Sequence, residues 1–357
     1  MTIVHITGAR PNFPKAAPVI SALRERNVAQ QLVHTGQHYD DRLSEIFFRE
    51  LDLPRPDVNL GVGSGSHATQ TAAVMVALEE RFLAERPDGV VVYGDVNSTL
   101  AAALVCAKLG IPLAHVEAGL RSFDPTMPEE VNRKVTDALC DLAFATSPDA
   151  VAHLAREGVP TERIHFVGNP MIDTLLAHLD RFDPEPAKKS HGLDASAPYA
   201  VATLHRPSNV DHDGQAAALI QAMHKSADLL PIVVPLHPRG RGRLLDLGFA
   251  DHPGIRVVDP LGYVEFMSLV RGAAAVITDS GGVQEETTIL GIPCLTLRPN
   301  TERPITISHG TNRLVRTDTL VHELQAVLDR GRLESWPVPP LWDGRAGSRI
   351  ADVLARW

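Results

Sequence analysis

The feature that most constrains the fold is an alternation of short apolar runs with longer helical patterns, present in both halves of the chain. One such run, residues 90–93 (VVVY), stands between the amphipathic stretch 67–86 and the apolar helical pattern 99–109. Strands covered on both faces have continuous apolar sequences, and helices of this length connect parallel strands. The pattern therefore predicts an α/β protein built from doubly wound, Rossmann-like sheets.

The predicted strands fall into two groups that are separated by a change in composition. We expect them at residues 3–7, 28–35, 90–93 and 112–116, and again at 199–204, 232–236, 256–258, 273–277 and 294–297. Between the groups, residues 181–198 are rich in Asp, Pro, Lys and Ser and are expected to form a surface connection. Because 357 residues exceed one ordinary core, we predict two domains that face a central cleft. Their expected bounds are 1–170 and 171–340, followed by a final helical segment at 341–357.

Composition excludes several classes of protein. A net charge of −9 argues against nucleic-acid binding, which requires a basic surface. The three cysteines lie inside apolar segments, so we expect reduced, buried thiols in a cytoplasmic protein. No CxxC or HExxH motif supports a metal site, and no apolar run reaches the length of a membrane span. We therefore expect no metal, no membrane and no nucleic acid among its partners.

A glycine-rich turn is the main candidate binding site of the second half. Residues 278–286 (TDSGGVQEE) follow a predicted strand and begin a helical pattern. The free N–H groups and positive dipole end of a helix attract anions, Ser280 adds a hydroxyl donor, and Gly281 and Gly282 permit close approach. One turn later, Glu286 is placed to accept hydrogen bonds from a ribose diol. The same residues are also common in ordinary helix caps.

Polar residues also follow several predicted strands. Arg10, Asp95, Glu117 and His205 each come after an apolar run, and an acidic helix start lies at 127–133. Ligands of open α/β sheets bind at the carboxyl ends of strands. Each residue has an ordinary explanation, such as a turn for Asp95 or a satisfied core histidine for His205. Together, beside an anion-binding turn, they indicate a functional site.

Seven short motifs then occur in a fixed order. They are Gly8-x-Arg10-Pro with Lys15, Gly94-Asp95-x-Asn97-Ser-Thr99, His115-Val-Glu117-Ala-Gly-Leu-Arg121, Pro128-Glu-Glu130-x-Asn-Arg133, His205-Arg206, Asp279-Ser-Gly-Gly-x-Gln-Glu-Glu286 and Thr301-Glu-Arg303-Pro. This set closely resembles the non-hydrolysing UDP-N-acetylglucosamine 2-epimerase family over essentially the whole chain. The resemblance implies two Rossmann-like domains of the glycosyltransferase-B type, a last helix that returns to the first domain, and a homodimer. One departure is Asn12, where many members carry glutamate.

The resemblance also implies a reaction and a site. The reaction interconverts UDP-GlcNAc and UDP-ManNAc without NAD or metal, by anti elimination of UDP to a 2-acetamidoglucal followed by re-addition. The implied catalytic residues are Asp95, Glu117, Glu130 and His205. The implied substrate-binding residues are Arg10, Lys15, Arg133 and Arg303 among the cations, Ser280, Gly281 and Gly282 of the phosphate turn, Glu286 at the ribose, and Leu261 and Phe266 at the uracil.

Other functions compete with this one. A hydrolysing 2-epimerase would form the same glycal and release ManNAc and UDP. An epimerase of a modified sugar, such as a diacetamido uronic sugar, would keep the reaction and change the substrate. A glycosyltransferase of the same fold, or a nucleotide-sugar sensor, would leave the carboxylates without a proton-transfer role. Which carboxylate is the base and which is the acid stays open.

Overall fold

The computed structural model of the protein describes residues 1–36, 41–204, 206, 213–236 and 238–357, and for residues 41–45, 213 and 238–240 it describes the backbone alone. The described residues form two compact units. The N-terminal unit comprises Met1–Ala177 and Pro340–Trp357, and the C-terminal unit comprises His178–Pro339.

The N-terminal unit contains a seven-stranded sheet with helices between its strands. Its strands are β1 (Thr2–Thr7), β2 (Ala29–His34), β3 (Val58–Asn59), β4 (Gly89–Tyr93), β5 (Leu113–Ala118), β6 (Leu142–Ala145) and β7 (Ile164–Phe166). Its helices are α1 (Phe13–Glu25), α2 (Asp41–Glu50), α3 (His67–Ala84), α4 (Asn97–Leu109), α5 (Pro128–Leu139), α6 (Pro148–Arg156) and α7 (Pro170–Ala177). The strands lie in the order β3-β2-β1-β4-β5-β6-β7.

The C-terminal unit contains a six-stranded sheet in the order β10-β9-β8-β11-β12-β13. Its strands are β8 (Ala200–Thr203), β9 (Ile232–Pro235), β10 (Ile255–Val258), β11 (Ala275–Thr278), β12 (Cys294–Leu297) and β13 (Asn312–Val315). Its helices are α8 (Pro184–Ser190), α9 (Asp213–Ala227), α10 (Pro238–Asp246), α11 (Tyr263–Gly272), α12 (Gly281–Leu290), α13 (Ile305–Ser308) and α14 (Leu320–Arg330).

The order of the strands explains where a site can form. In the described chain, neighbouring strands of both sheets pair in parallel, which confirms the predicted α/β class with two doubly wound sheets. The chain adds strands toward one edge of the sheet up to β3 and then toward the other edge from β4 onward, so the order of addition reverses at the β1/β4 pair. In the C-terminal unit the same reversal occurs at the β8/β11 pair. At such a switch point the connections leave in opposite directions and open a crevice at the carboxyl ends of the strands. Each unit therefore has one such crevice at its β1/β4 or β8/β11 pair.

One local expectation needs correction. Residues 181–198 are not only a surface connection, because they contain α8, whose first turn is capped by the Asp183 carboxylate.

The helices that follow the apolar runs of the N-terminal unit begin differently. Val96 occupies the N-cap position of α4, and Ser98 lies inside that helix. Ser66 caps α3, since its hydroxyl accepts a hydrogen bond from the Thr69 N–H at 3.2 Å.

The end of the chain packs on the N-terminal unit through α15 (Ala346–Leu354). Gly347 permits the close packing, since a Cβ added there would lie 2.7 Å from the Pro18 carbonyl carbon. The Asp173 carboxylate on α7 accepts a hydrogen bond of 2.7 Å from the Gly347 N–H. A residue of α7 thus satisfies an orphan donor at the start of α15 and fixes the last helix to the unit.

Burial raises the pKa of Asp173 to about 6. A carboxyl whose pKa is raised by folding stabilises the fold while it is protonated, and that contribution is lost as the pH rises through the folded-state value. We expect the free energy of unfolding of the wild type, relative to Asp173→Asn, to fall by about 3 kcal/mol from pH 3 to pH 7. Urea denaturation at a series of pH values measures it. A difference that stays constant with pH would contradict the expectation.

None of the helices in the described ranges is long and apolar enough to cross a bilayer.

Candidate active site

The switch point of the N-terminal unit is held together by Asn12. Its Oδ1 accepts hydrogen bonds of 3.0 Å from the N–H groups of both Gly8 and Ala9, just after β1. Its Nδ2 donates a 2.7 Å hydrogen bond to the Tyr93 carbonyl at the end of β4. With an exposed fraction of 2%, the side chain is buried. Asn12 therefore joins the two strand ends between which the crevice opens.

Glu117 lies in an irregular part of β5. Its φ is +77°, a left-handed value that is strained for a side chain of this size. The register between β5 and β6 shifts between Val116 and Ala118, so Glu117 occupies a β-bulge. Its Oε1 accepts a 2.7 Å hydrogen bond from Lys15 Nζ, and both side chains are buried. Two of the predicted site residues are thus in direct contact.

Arg133 on α5 brings two further predicted residues together. Its Nη1 lies 2.5 Å from Asp95 Oδ2, and its Nη2 lies 2.6 Å from Glu130 Oε2. The Asp95 side chain is 22% exposed, whereas those of Arg133 and Glu130 are buried. The guanidinium can serve both carboxylates because it presents several donors in a fixed plane. Among these three groups, Asp95 is therefore the one that faces solvent.

Glu130 holds the loop that precedes its helix. Its Oε2 accepts hydrogen bonds from the N–H and the hydroxyl of Ser122, at 2.9 and 3.0 Å. Its Oε1 accepts a 3.1 Å hydrogen bond from the N–H of Phe123, whose φ of +57° is left-handed and whose side chain is 66% exposed. Burial alone would raise the pKa of Glu130, but hydrogen bonds from Arg133 and Ser122 bring it below its usual value. The carboxylate is thus ionised and fully engaged.

Replacing Glu130 by glutamine should release this loop. An amide has one acceptor oxygen, so it cannot accept from the N–H groups of Ser122 and Phe123 together as the carboxylate does. A backbone N–H that loses its buried acceptor costs about 1–3 kcal/mol, so amide exchange at these two residues should accelerate about tenfold or more. Hydrogen–deuterium exchange followed by mass spectrometry measures it. Glu129→Gln on the same helical turn is the control, and unchanged exchange in Glu130→Gln would contradict the expectation.

Arg10 and Arg206 stand at the two switch points. Arg10 opens a 3₁₀ turn, Arg10–Asn12, directly after β1, and its side chain is half-buried. Arg206 follows β8, and its N–H donates to the Asp279 carboxylate at 3.0 Å. The predicted catalytic residue His205 lies outside the described residues.

In the C-terminal unit, the predicted phosphate turn lies at the start of α12. Ser280 is the N-cap residue, and among the described contacts its hydroxyl makes no capping hydrogen bond. A Cβ added at Gly281 would lie 2.4 Å from Arg303 Nη1 and 2.7 Å from Glu302 Oε1. Gly281 is therefore required by the close approach of these side chains, and Gly282 follows it in the first turn of the helix.

Arg303 lies in a buried cluster of alternating charge. Its Nε is 3.0 Å from Glu285 Oε1, and its Nη1 is paired with Glu302. Glu302 is also paired with Arg298, at 2.6 Å. Each of the four side chains is at most 5% exposed. The predicted diphosphate-binding cation is thus held by two carboxylates at the N-terminus of α12.

Glu286 is buried on α12 and differs from an ordinary surface carboxylate. Burial raises its pKa to about 8, Glu285 adds to the rise, and a hydrogen bond from Tyr263 opposes it. Leu261 and Phe266 flank the start of α11, which follows β10, and both are half-buried. These predicted ribose and uracil contacts therefore lie at the carboxyl edge of the same sheet as the α12 turn.

Three polar residues that make contacts in the N-terminal site were not predicted as site residues, although His115 and Asn132 stand in two of the motifs. Asn132 donates a 2.8 Å hydrogen bond to the Asp95 carbonyl. His115 and Asp137 form a buried pair beneath the β4 and β5 ends. One signal for Asp137 is its spacing from Glu130 and Arg133, which places all three on the same face of α5.

Polar and charged residues at the switch points of two Rossmann-ordered sheets are typical of α/β proteins that bind ligands at the carboxyl ends of their strands. The model of the UDP-N-acetylglucosamine 2-epimerase family matches residues 21–355. The chain belongs to this family, which confirms the resemblance found in the sequence.

Individual relatives match along the whole chain. The UDP-N-acetylglucosamine 2-epimerase of Methanocaldococcus jannaschii is 40% identical over 369 residues, with 99% of each chain covered. The UDP-2,3-diacetamido-2,3-dideoxy-D-glucuronate 2-epimerase of Pseudomonas aeruginosa is 40% identical over 367 residues, with both chains fully covered. A crystal structure of the Methanocaldococcus jannaschii enzyme in complex with UDP-GlcNAc and UDP superposes with a TM-score of 0.93 at 39% identity, covering 100% of both chains.

Proposed function

We propose that this chain catalyses the reversible C2 epimerisation of UDP-GlcNAc and UDP-ManNAc. The observation that carries the proposal is the set of three carboxylates, Asp95, Glu117 and Glu130, each paired with a cation at one edge of the N-terminal sheet. Membership of the 2-epimerase family and full-length similarity to two named 2-epimerases support it.

The chemistry requires groups of this kind. The carbon that carries the C2 proton of the sugar is not adjacent to a carbonyl, so the proton cannot be removed by simple enolisation. In the proposed route a base removes that proton, the bond from C1 to the diphosphate oxygen breaks, and UDP leaves. The resulting 2-acetamidoglucal accepts a proton at the opposite face of C2 while UDP adds back to C1. Only a proton and UDP are transferred, so we propose that the reaction uses neither NAD nor a metal.

The contacts of the three carboxylates support different roles for them in the proposed reaction. Glu130 is held ionised by Arg133 and the 122–123 backbone, which suits a fixed anion more than a proton donor. Asp95 is more exposed, and Glu117 is paired with a lysine, whose ammonium group is a hydrogen-bond donor only. We therefore propose that Asp95 and Glu117 exchange the C2 proton, with His205 as a further catalytic residue.

We propose that the C-terminal unit binds UDP. The N-terminus of α12, with Ser280, Gly281 and Gly282, offers backbone donors and a positive dipole end to the diphosphate. The cations proposed for the same group are Arg10, Lys15 and Arg303. Glu286 would accept from the ribose, and Leu261 and Phe266 would contact the uracil.

Proton NMR of UDP-GlcNAc with the protein in deuterated water tests the function. We expect UDP-ManNAc to form with deuterium at C2, because the removed proton exchanges with solvent before reprotonation. Asp95→Asn should reduce turnover by at least about 100-fold, since it removes a proton-transfer group. The same variant should bind UDP as the wild type does, as measured by calorimetry. Equal loss of turnover and UDP binding would contradict the role of Asp95.

The same experiment separates the alternatives. Free ManNAc and UDP that accumulate instead would establish the hydrolysing reaction. The diacetamido uronic sugar is the second candidate substrate, because a relative named for it is 40% identical over the whole chain. Turnover of that UDP-sugar without turnover of UDP-GlcNAc would assign the chain to it. Transfer of the sugar to an acceptor would establish a glycosyltransferase.

We also propose a cytoplasmic homodimer. Three free, buried cysteines (Cys106, Cys140 and Cys294) suit a reducing compartment. On α3, the side chains of Val76 and Leu83 are 57% and 69% exposed and lie on the same helical face, with exposed Ala72 and Ala73 beside them. An apolar stripe of this kind on a helix is typical of a surface that is covered by a partner.

Light scattering after size exclusion tests the dimer. We expect the wild type to have twice the 38.6 kDa mass of one chain. The double variant Val76→Glu with Leu83→Glu should elute as a monomer, because it places charges in the stripe. Val338→Glu, at a similarly exposed apolar residue of the C-terminal unit, is the control and should stay dimeric. A double variant that remains dimeric would place the interface elsewhere.

A further inference from the structure

A buried carboxylate, that of Asp137 on α5, contacts both sides of the Glu117 bulge. Its Oδ1 lies 2.6 Å from His115 Nδ1, two residues before Glu117. Its Oδ2 accepts a 3.0 Å hydrogen bond from the Gly119 N–H, two residues after Glu117. Arg121 Nη2 lies 2.7 Å from the same oxygen. The Asp137 and His115 side chains are 1% and 0% exposed, so water does not compete with these contacts.

The other ring nitrogen of His115 extends this contact to the neighbouring strand. His115 Nε2 lies 2.8 Å from the Gly94 carbonyl, immediately before Asp95. Gly94 has a φ of +64°, and a Cβ there would lie 2.9 Å from Lys15 Nζ. Asp137 thus contacts the bulge that carries Glu117 directly and the turn that carries Asp95 through the His115 ring.

The hydrogen bonds fix the orientation of the His115 ring. Nε2 faces the Gly94 carbonyl, which can only accept a hydrogen bond, and Nδ1 faces the Asp137 carboxylate. Burial would raise the pKa of Asp137, but the proximity of His115 and Arg121 brings it below its usual value. The ring is therefore held between a carboxylate on α5 and a backbone carbonyl at the end of β4.

We infer that Asp137 and His115 are positioning residues, which hold Asp95 and Glu117 in register through the Gly94 turn and the β5 bulge. The inference rests on the proposed function for its kinetic consequence, although the geometry is independent of it. Glu117 has a left-handed φ that costs about 1–3 kcal/mol, so surrounding contacts must maintain it. Asp137 supplies such contacts on both sides of the bulge. Neither residue is placed to touch the substrate, so each acts through the two carboxylates.

The first test follows the His115 ring directly. In protein labelled with ¹⁵N-histidine, we expect the Nε2–H of His115 to exchange slowly with solvent, because it is buried and donates to the Gly94 carbonyl. The signal is assigned by its loss in His115→Asn. In Asp137→Asn the proton should exchange about tenfold faster or more, because the carboxylate that holds the other ring nitrogen is gone. An exchange rate unchanged in Asp137→Asn would overturn the inference.

The second test separates positioning from general stability. Asp137→Asn should lower kcat about 100-fold, because small displacements of reacting groups have effects of that size. KM should change less than threefold, and the Kd for UDP, which the C-terminal unit is proposed to bind, should stay within threefold of the wild type. Asp141→Asn is the matched control, since Asp141 accepts a 2.9 Å hydrogen bond from the Leu113 N–H at the opposite end of β5. It should keep kcat unchanged.

Three results would be informative in different ways. An unchanged kcat in Asp137→Asn would overturn the inference, and so would loss of UDP binding together with kcat, which indicates general unfolding. If the wild type itself turns over no UDP-sugar while the Nε2–H of His115 exchanges slowly and is released in Asp137→Asn, the proposed function fails but the positioning contact is upheld.

Discussion

The need to pair buried carboxylates with cations constrains most of the N-terminal site. An isolated ionised carboxylate costs several kcal/mol to bury, and several of them in one place would also repel each other. Here Lys15 pairs with Glu117, Arg133 with Asp95 and Glu130, and Arg121 with Asp137. The cations come from α1, α5 and the loop after β5, so the pairing fixes these elements to the sheet edge. The carboxylates of the proposed active site are thereby each matched by a cation.

Part of this arrangement could be predicted from the sequence. Asp95 was found because a strand-like run ends just before it, and parallel strands bring their carboxyl ends to one edge. The turn at residues 278–286 was found by the same reasoning. Fold class was also accessible, because the strands of both sheets are short apolar runs between helical patterns. In each case the signal is local and follows from periodicity.

What could not be predicted depends on contacts between distant parts of the chain. The left-handed φ of Glu117 has no sequence signature, because non-glycine residues adopt it only where tertiary contacts enforce it. The burial of Glu130 was missed because a glutamate in the first helical turn is usually explained by the helix dipole. Strands β3, β6, β7 and β13 were missed as well. They have two to four residues each, which is too few to show a period. The helix α8 has no long apolar face and resembles a loop in composition.

Both units pair buried carboxylates with cations, but the pairs are arranged differently. In the N-terminal unit Lys15 and Arg133 face the three carboxylates of the proposed chemistry. In the C-terminal unit Arg303 is shared by Glu285 and Glu302, and Glu302 is shared by Arg298, which leaves the cluster close to neutral. If this unit binds UDP as proposed, the diphosphate meets the backbone donors of α12 and competes with Glu302 for Arg303. Displacing a buried carboxylate from its guanidinium requires a strongly charged competitor, which a diphosphate is.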